Sequence, residues 1–226
     1  MLSRLPWALV AALAAACTLA TPSWAASSCG WSGYSYAGVQ ASQAASGISA
    51  RLTAVRNPHV QNGHVAAWVG VGGSGLGPNG ADEWLQVGLS ALPGSGSKLY
   101  YEFAQPGTDA KYVMLDGSIA AGTSHRVAVL EVSGRPGVWR AWVDGTAVTR
   151  PIYLPGSHSA WAPIATAESW DGGVPSCNAY AYRFDSVSLA TRPGGDWQRL
   201  RGGRVMQDPG YRVLASAPGT FVAGRR

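Results

Sequence analysis

Apolar residues recur along this chain with a period of two, in short runs cut by Gly, Pro, Asn and Asp. That pattern builds strands with one buried and one open face, and it leaves no convincing helix. The clearest stretch runs from His64 to Ala104, as HVAAWVGVGG, DEWLQVGLS and KLYYEFA. Turn signals recur at Asn62-Gly63, Asn79-Gly80, Asp116-Gly117, Asp144-Gly145 and Asp171-Gly172. Between them lie Ser32–Ala41, Gly47–Val55, Tyr112–Leu115, His125–Val132, Val138–Val143, Val148–Leu154, Pro163–Trp170 and Asn178–Leu189. About eleven strands without a helix predict an all-β, antiparallel two-sheet β-sandwich of the jelly-roll kind. Many tight turns account for a chain with 30 Gly, and 226 residues suffice for a sizeable core.

Alternation sorts the residues of the opening stretch onto two faces. Val65, Ala67, Val69 and Val71 share one face with Leu85, Val87, Leu89, Leu99, Tyr101 and Phe103. The other face presents Trp68, Trp84, Tyr100, Gln86 and Glu102. An aromatic floor with one amide and one carboxylate has the composition of a binding groove. A second strand, PIATAESW, sets Ile164, Thr166, Glu168 and Trp170 on one face and Ala165, Ala167 and Ser169 on the other. With the small face inward, Glu168 and Trp170 stand on the open one. Acidic residues are scarce here, so this Glu is read either as a plain surface carboxylate or as one facing Gln86 across the groove.

The ends carry different signals. Arg4, an apolar run from Leu5 to Ala20 and Ser23-Trp24-Ala25 form a secretory signal peptide over residues 1–25, cut after Ala25 or Ala26. A lipoprotein anchored at Cys17 is the alternative, although the preceding Ala-Ala-Ala lacks the Leu that usually opens such a box. Without the leader, the chain is expected to be secreted and soluble, with Cys29 and Cys177 paired. Residues 27–190 form the expected sandwich, and residues 191–226 a loosely packed basic extension. The net charge of +5 belongs to that extension, since from Thr191 onward there are 7 Arg and 2 Asp. The groove region therefore carries no basic patch for nucleic acid. His64, His125 and His158 are dispersed, so no metal site is expected and each is read as a surface or hydrogen-bonding residue.

The hairpin HRVAVLEV and VWRAWVDG resembles one seen in concanavalin A-like sandwiches. AWVGVGG (Ala67–Gly73), WLQVG (Trp84–Gly88), YYEF (Tyr100–Phe103) and AESW (Ala167–Trp170) resemble segments of the glutamic peptidases, or eqolisins, in the same order. These are secreted acid endopeptidases on that sandwich. The resemblance implies Gln86 and Glu168 as the catalytic pair, Trp68 in the site wall and Glu102 in support, with no cofactor. It spans roughly Tyr36 to Ala190. Where the family tends to carry Asp after AWVG and after the Gln, this chain has Gly72 and Ser90.

In such a site Glu168 would take a proton from water and pass it to the leaving amine. The Gln86 amide would donate to the tetrahedral oxygen. Trp68, Trp84, Tyr100, Glu102 and Trp170 would hold an extended peptide. The expected partner is thus a peptide or protein substrate, met by a monomer. The competing expectations are a non-catalytic module that stacks polysaccharide on the same aromatic groove, and a cell-wall interaction protein in which the groove has decayed.

Overall fold

The computed structural model describes residues 29, 33–172 and 177–225. The signal peptide and Cys17 lie outside the described residues. In chain order the strands are β1 (Tyr34–Gln40), β2 (Gly47–Ala54), β3 (His59–Val60), β4 (His64–Gly73), β5 (Glu83–Ala91) and β6 (Ser97–Ala104). Then follow β7 (Lys111–Ile119), β8 (Ser124–Glu131), β9 (Val138–Val143), β10 (Thr146–Ala147), β11 (Ile152–Tyr153) and β12 (Ile164–Trp170). The last are β13 (Asn178–Ala179), β14 (Ala181–Arg192), β15 (Gly195–Arg199), β16 (Arg204–Gln207), β17 (Arg212–Ala217) and β18 (Thr220–Gly224). Among the described residues there is no α-helix, only a 3-10 turn at Pro78–Gly80.

Two antiparallel sheets carry the fold. The first, here called the groove sheet, has the order β16-β1-β12-β4-β5-β6-β7. The second, the back sheet, runs β10-β9-β8-β2-β14-β18-β17, with β11 on β9 and β15 on β14. Strands β3 and β13 pair separately. The alternation explains the core between the sheets. Val65, Ala67, Val69, Leu85, Val87 and Leu89 from the groove sheet meet Ile48, Leu52, Val127, Val129, Trp139 and Phe184 from the back sheet. Each fully buried aliphatic side chain contributes about 1.5–3 kcal/mol. The sandwich expected from the period-two pattern is therefore the fold of the chain. The Cys29–Cys177 bridge is formed, with Cα atoms 5.6 Å apart.

Three local expectations need correction. Residues 191–225 are not a loose appendage. Strand β14 runs through position 191, and β15, β17 and β18 extend the back sheet while β16 adds an edge to the groove sheet. Leu200, Tyr211, Phe221 and Ala223 sit in the main core, while β16 and β17 themselves stay largely exposed. Asp116-Gly117 is no turn. It lies inside β7, where pairing with β6 shifts register between Ser97 and Tyr100, as a β-bulge does. Val148–Leu154 is broken by Pro151, which offers no N–H to a ladder, and only β11 emerges from it. By contrast, Asp144-Gly145 does close a hairpin: both residues have positive φ, at 49° and 84°, as a type I′ turn requires.

Candidate active site

The open face of the groove sheet is set by register. On β4, His64, Ala66, Trp68 and Gly70 point away from the core, and antiparallel pairing lines up each neighbour. Trp170 lies opposite His64, Glu168 opposite Ala66, and Thr166 opposite Trp68. On the other side Ser90 lies opposite Ala66, Gly88 opposite Trp68, and Gln86 opposite Gly70. Next comes Tyr100 opposite Gly88, and Glu102 opposite Gln86. Tyr36 faces Glu168 from β1. Gly88 matters here because a Cβ at that position would collide with the Ala67 carbonyl and the Trp68 backbone. The indole of Trp68 is packed with Ala66 and Tyr100 in a small cluster separate from the main core.

Gln86 and Glu168 thus come from strands two apart, at positions four residues apart along β4. No hydrogen bond joins them among the described residues. Both nevertheless line one cavity of about 140 Å³ with Trp68, Trp84 and Glu102. Gln86 is 8 % exposed and Glu168 5 %. The Gln86 amide nitrogen donates to the Tyr100 hydroxyl at 3.1 Å and to the Glu102 carboxyl at 3.1 Å, which commits both of its N–H groups. Glu168 Oε1 lies 3.4 Å from His64 Nε2. His64 in turn stacks on Trp170, with ring centroids 5.4 Å apart.

Burial pushes the Glu102 carboxyl up, the Glu168 charge pushes it further, and His64 and the Gln86 amide pull it back. Burial raises the Tyr36 and Tyr100 hydroxyls as well, and in both the Glu168 charge is the next cause. Gln86 and the two carboxyls line one cavity and His64 adjoins Glu168 in the next, a set of groups able to move a proton and to donate to an oxyanion.

Of the residues expected from the sequence, Gln86, Glu168, Trp68, Trp84 and Glu102 share the 140 Å³ cavity. Tyr100 lines an adjoining one of about 260 Å³. Trp170 lines neither. It is 38 % exposed at the rim, against His64 and Tyr34. His64 went unrecognised as a site residue, although its place on the open face of β4 was readable from alternation. Tyr34 and Tyr36 were missed too; they stack 5.9 Å apart at the groove edge. Among the described residues no group of three His, Cys, Asp or Glu is arranged to hold a metal ion, and no helix is long and apolar enough to cross a membrane. A larger cavity of about 600 Å³ lies between Ser42–Ala45 and Arg199–Gly202, but no carboxylate or imidazole lines it.

No protein-family model matches the sequence, and no curated protein matches it. Solved structures do. The fold is similar to that of scytalido-glutamic peptidase bound to a peptide-based transition-state analogue, with a TM-score of 0.58 and 15 % identity over 87 % of this chain and all of that one. It is similar also to SCP-B, a member of the eqolisin family, in complex with the tripeptide Ala-Ile-His. There the TM-score is 0.54, with 15 % identity over 85 % of this chain and 98 % of that one. At such identities the likeness establishes a shared sandwich fold. A carbohydrate-binding module from Bacillus subtilis matches at a TM-score of only 0.34, with 11 % identity over 69 % of this chain and 80 % of that one.

Proposed function

We propose that this protein is a secreted endopeptidase that hydrolyses peptide bonds at acidic pH in the concavity of the groove sheet. Glu168 is the general base and Gln86 the oxyanion donor. The observation that carries the reading is that a buried amide and a buried carboxylate, brought from separate strands, line one cavity. Glu102 links to the amide there and His64 to the carboxylate. A water seated between them loses its proton to Glu168 as it attacks the carbonyl carbon. The developing oxyanion accepts a hydrogen bond from Gln86, and Glu168 then returns the proton to the leaving nitrogen.

Acid pH acts in this scheme through Glu102. The Gln86 amide must release one of its two acceptors to bind a carbonyl oxygen. Burial and the Glu168 charge favour the neutral form of Glu102. A neutral carboxyl accepts more weakly than a carboxylate. In acid, Glu102 is therefore the acceptor from which the Gln86 N–H turns to the substrate. Secretion is supported by the leader-like N-terminus and by the Cys29–Cys177 bridge, which suits an oxidising compartment.

The test is digestion of a denatured protein at acidic pH, with Glu168→Gln and Gln86→Ala as controls. Fragments from the wild type and none from either variant are expected. Equal digestion by all three proteins would overturn the mechanism. One observation favours a second reading, polysaccharide binding: Tyr34, 52 % exposed, stacks on Tyr36 beside the exposed Trp170, a shelf suited to sugar rings. Retardation of the protein in a native gel containing polysaccharide, without any proteolysis, would move the site to that function.

A further inference from the structure

The arginines of the C-terminal segment take no part in the groove, and folding sets two of them on a separate cavity of about 600 Å³. That volume lies within the usual range of ligand sites, about 300–1,000 Å³. One wall is the connection from β1 to β2 at Ser42–Ala45, and the other is the segment from Gln198 to Gly202. Both walls are anchored by the backbone. Ala41 N donates to the Pro163 carbonyl at 2.8 Å, Ala45 N to that of Trp161 at 3.3 Å, and Leu200 N to that of Val187 at 2.8 Å. The cavity shares no lining residue with the two cavities of the groove sheet.

We propose that this cavity binds an anionic polysaccharide, a sugar chain bearing sulfate, phosphate or uronate groups, through Arg199 and Arg201. Leu200 is buried in the core, and the arginines on either side of it stand exposed. On an extended chain their Cα atoms are about 7 Å apart, a spacing suited to repeated charges. Among the described residues neither is in an ion pair, and Arg199 has only a 3.4 Å contact from Nη2 to Ser186 Oγ. Arg204, just beyond the wall, donates to Gln40 Oε1 at 3.0 Å and is likewise outside any ion pair. The carboxylate beside the cavity is already engaged: Asp196 accepts from the Thr191 hydroxyl at 3.2 Å and lies 3.8 Å from Arg192. Guanidinium groups meet oxyanions with paired N–H donors, and their charge is permanent. Gln43, Gln198 and Ser42 add amide and hydroxyl groups that suit sugar hydroxyls, and Leu189 adds apolar surface. No aromatic ring lines the cavity, which disfavours a single-stranded nucleic acid, since such chains bind by stacking their bases. The site is independent of peptide cleavage, and its occupant leaves the groove open.

The experiment titrates the folded protein at low salt with labelled dextran sulfate, phosphomannan and polygalacturonate. Unmodified dextran serves as the neutral chain and single-stranded DNA as a polyanion of another class. The proteins are the wild type, the double variant Arg199→Gln/Arg201→Gln, and the charge-matched Arg51→Gln/Arg126→Gln on the back sheet. All four arginines are exposed, so both variants are expected to melt close to the wild type. The wild type is expected to bind at least one of the three anionic glycans and not dextran, and the tightest of the three identifies the oxyanion. Arg199→Gln/Arg201→Gln is expected to raise that Kd about tenfold or more by removing two charge-assisted contacts. The back-sheet variant is expected to raise it less than about twofold, since it alters only the overall field. Equal weakening by the two variants would mean general attraction to a basic protein and overturn the site. So would tighter binding to the DNA than to any glycan, or no binding at all. Binding that is lost in Trp170→Ala and kept in Arg199→Gln/Arg201→Gln belongs to the aromatic shelf of the groove and also overturns it.

Discussion

The outer faces of the two sheets obey the same alternation and have opposite chemistry. Behind the back sheet, Arg51, Arg126 and Arg183 are exposed, and Arg183 pairs with Asp185 at 3.0 Å in a setting open to water. On the groove sheet the same structural positions hold Trp68, Gln86, Tyr100 and Glu168, each at most 8 % exposed. A charged outer face needs only solvent. A buried amide and carboxylate have lost their water and must be held by neighbours, as Tyr100, Glu102 and His64 hold them here. The groove face is thus held by partners within the protein, and the back face by solvent.

The contrast is broken most severely through the carboxylate. Glu168→Gln is expected to lower kcat/KM by about 10³–10⁴-fold, within the range of lost general-base catalysis, and to leave the melting temperature close to that of the wild type. Arg51→Gln on the back sheet is expected to change neither, so a peptide assay and a thermal melt on both variants separate the faces. Next comes the bridge. Replacing Cys29 and Cys177 by Ser, at a sequence separation of 148, should cost about 3–5 kcal/mol in urea denaturation. The loss should reach the groove side, since Asn178, beside Cys177, donates to Ser169 Oγ on β12 at 3.0 Å.

A smaller effect concerns pH. Glu102 and the fully buried Glu83 both hold their protons more tightly in the folded chain than in the unfolded one, chiefly through burial. Their contribution to stability is therefore complete below the ordinary carboxylate range and is lost as pH rises through the raised values. Melting temperature should fall from acid toward neutral pH, and Glu102→Gln should flatten part of that fall. A smaller change still is expected at Arg183→Gln, worth less than about 0.5 kcal/mol because the Arg183–Asp185 pair is solvent-screened.

Face assignment was legible in the sequence because it is a local property. Val65 and Trp68, or Val87 and Gln86, are sorted by alternation before any partner strand is known. What stayed hidden depends on partners far along the chain. His64 meets Glu168 only because β12 pairs with β4 in a register that sets Trp170 opposite His64. The C-terminal strands were hidden for the same reason. Arg-rich spacing looks solvated until β16 is placed on β1 and β18 on β14. Asp116-Gly117 has the composition of a turn, and only pairing with β6 makes it a bulge. The pairing of Ser90 with Tyr112 in the wall of the 260 Å³ cavity likewise needs the β5–β6–β7 order.

The most direct measurement is the pH–rate profile of kcat/KM on a fluorogenic peptide, for the wild type and Glu168→Gln. An acid optimum in the wild type, with the variant about a thousandfold lower across the profile and still folded, is the predicted result. Matching profiles for the two proteins, or no hydrolysis at any pH by a folded wild type, would contradict a peptide-cleaving groove sheet.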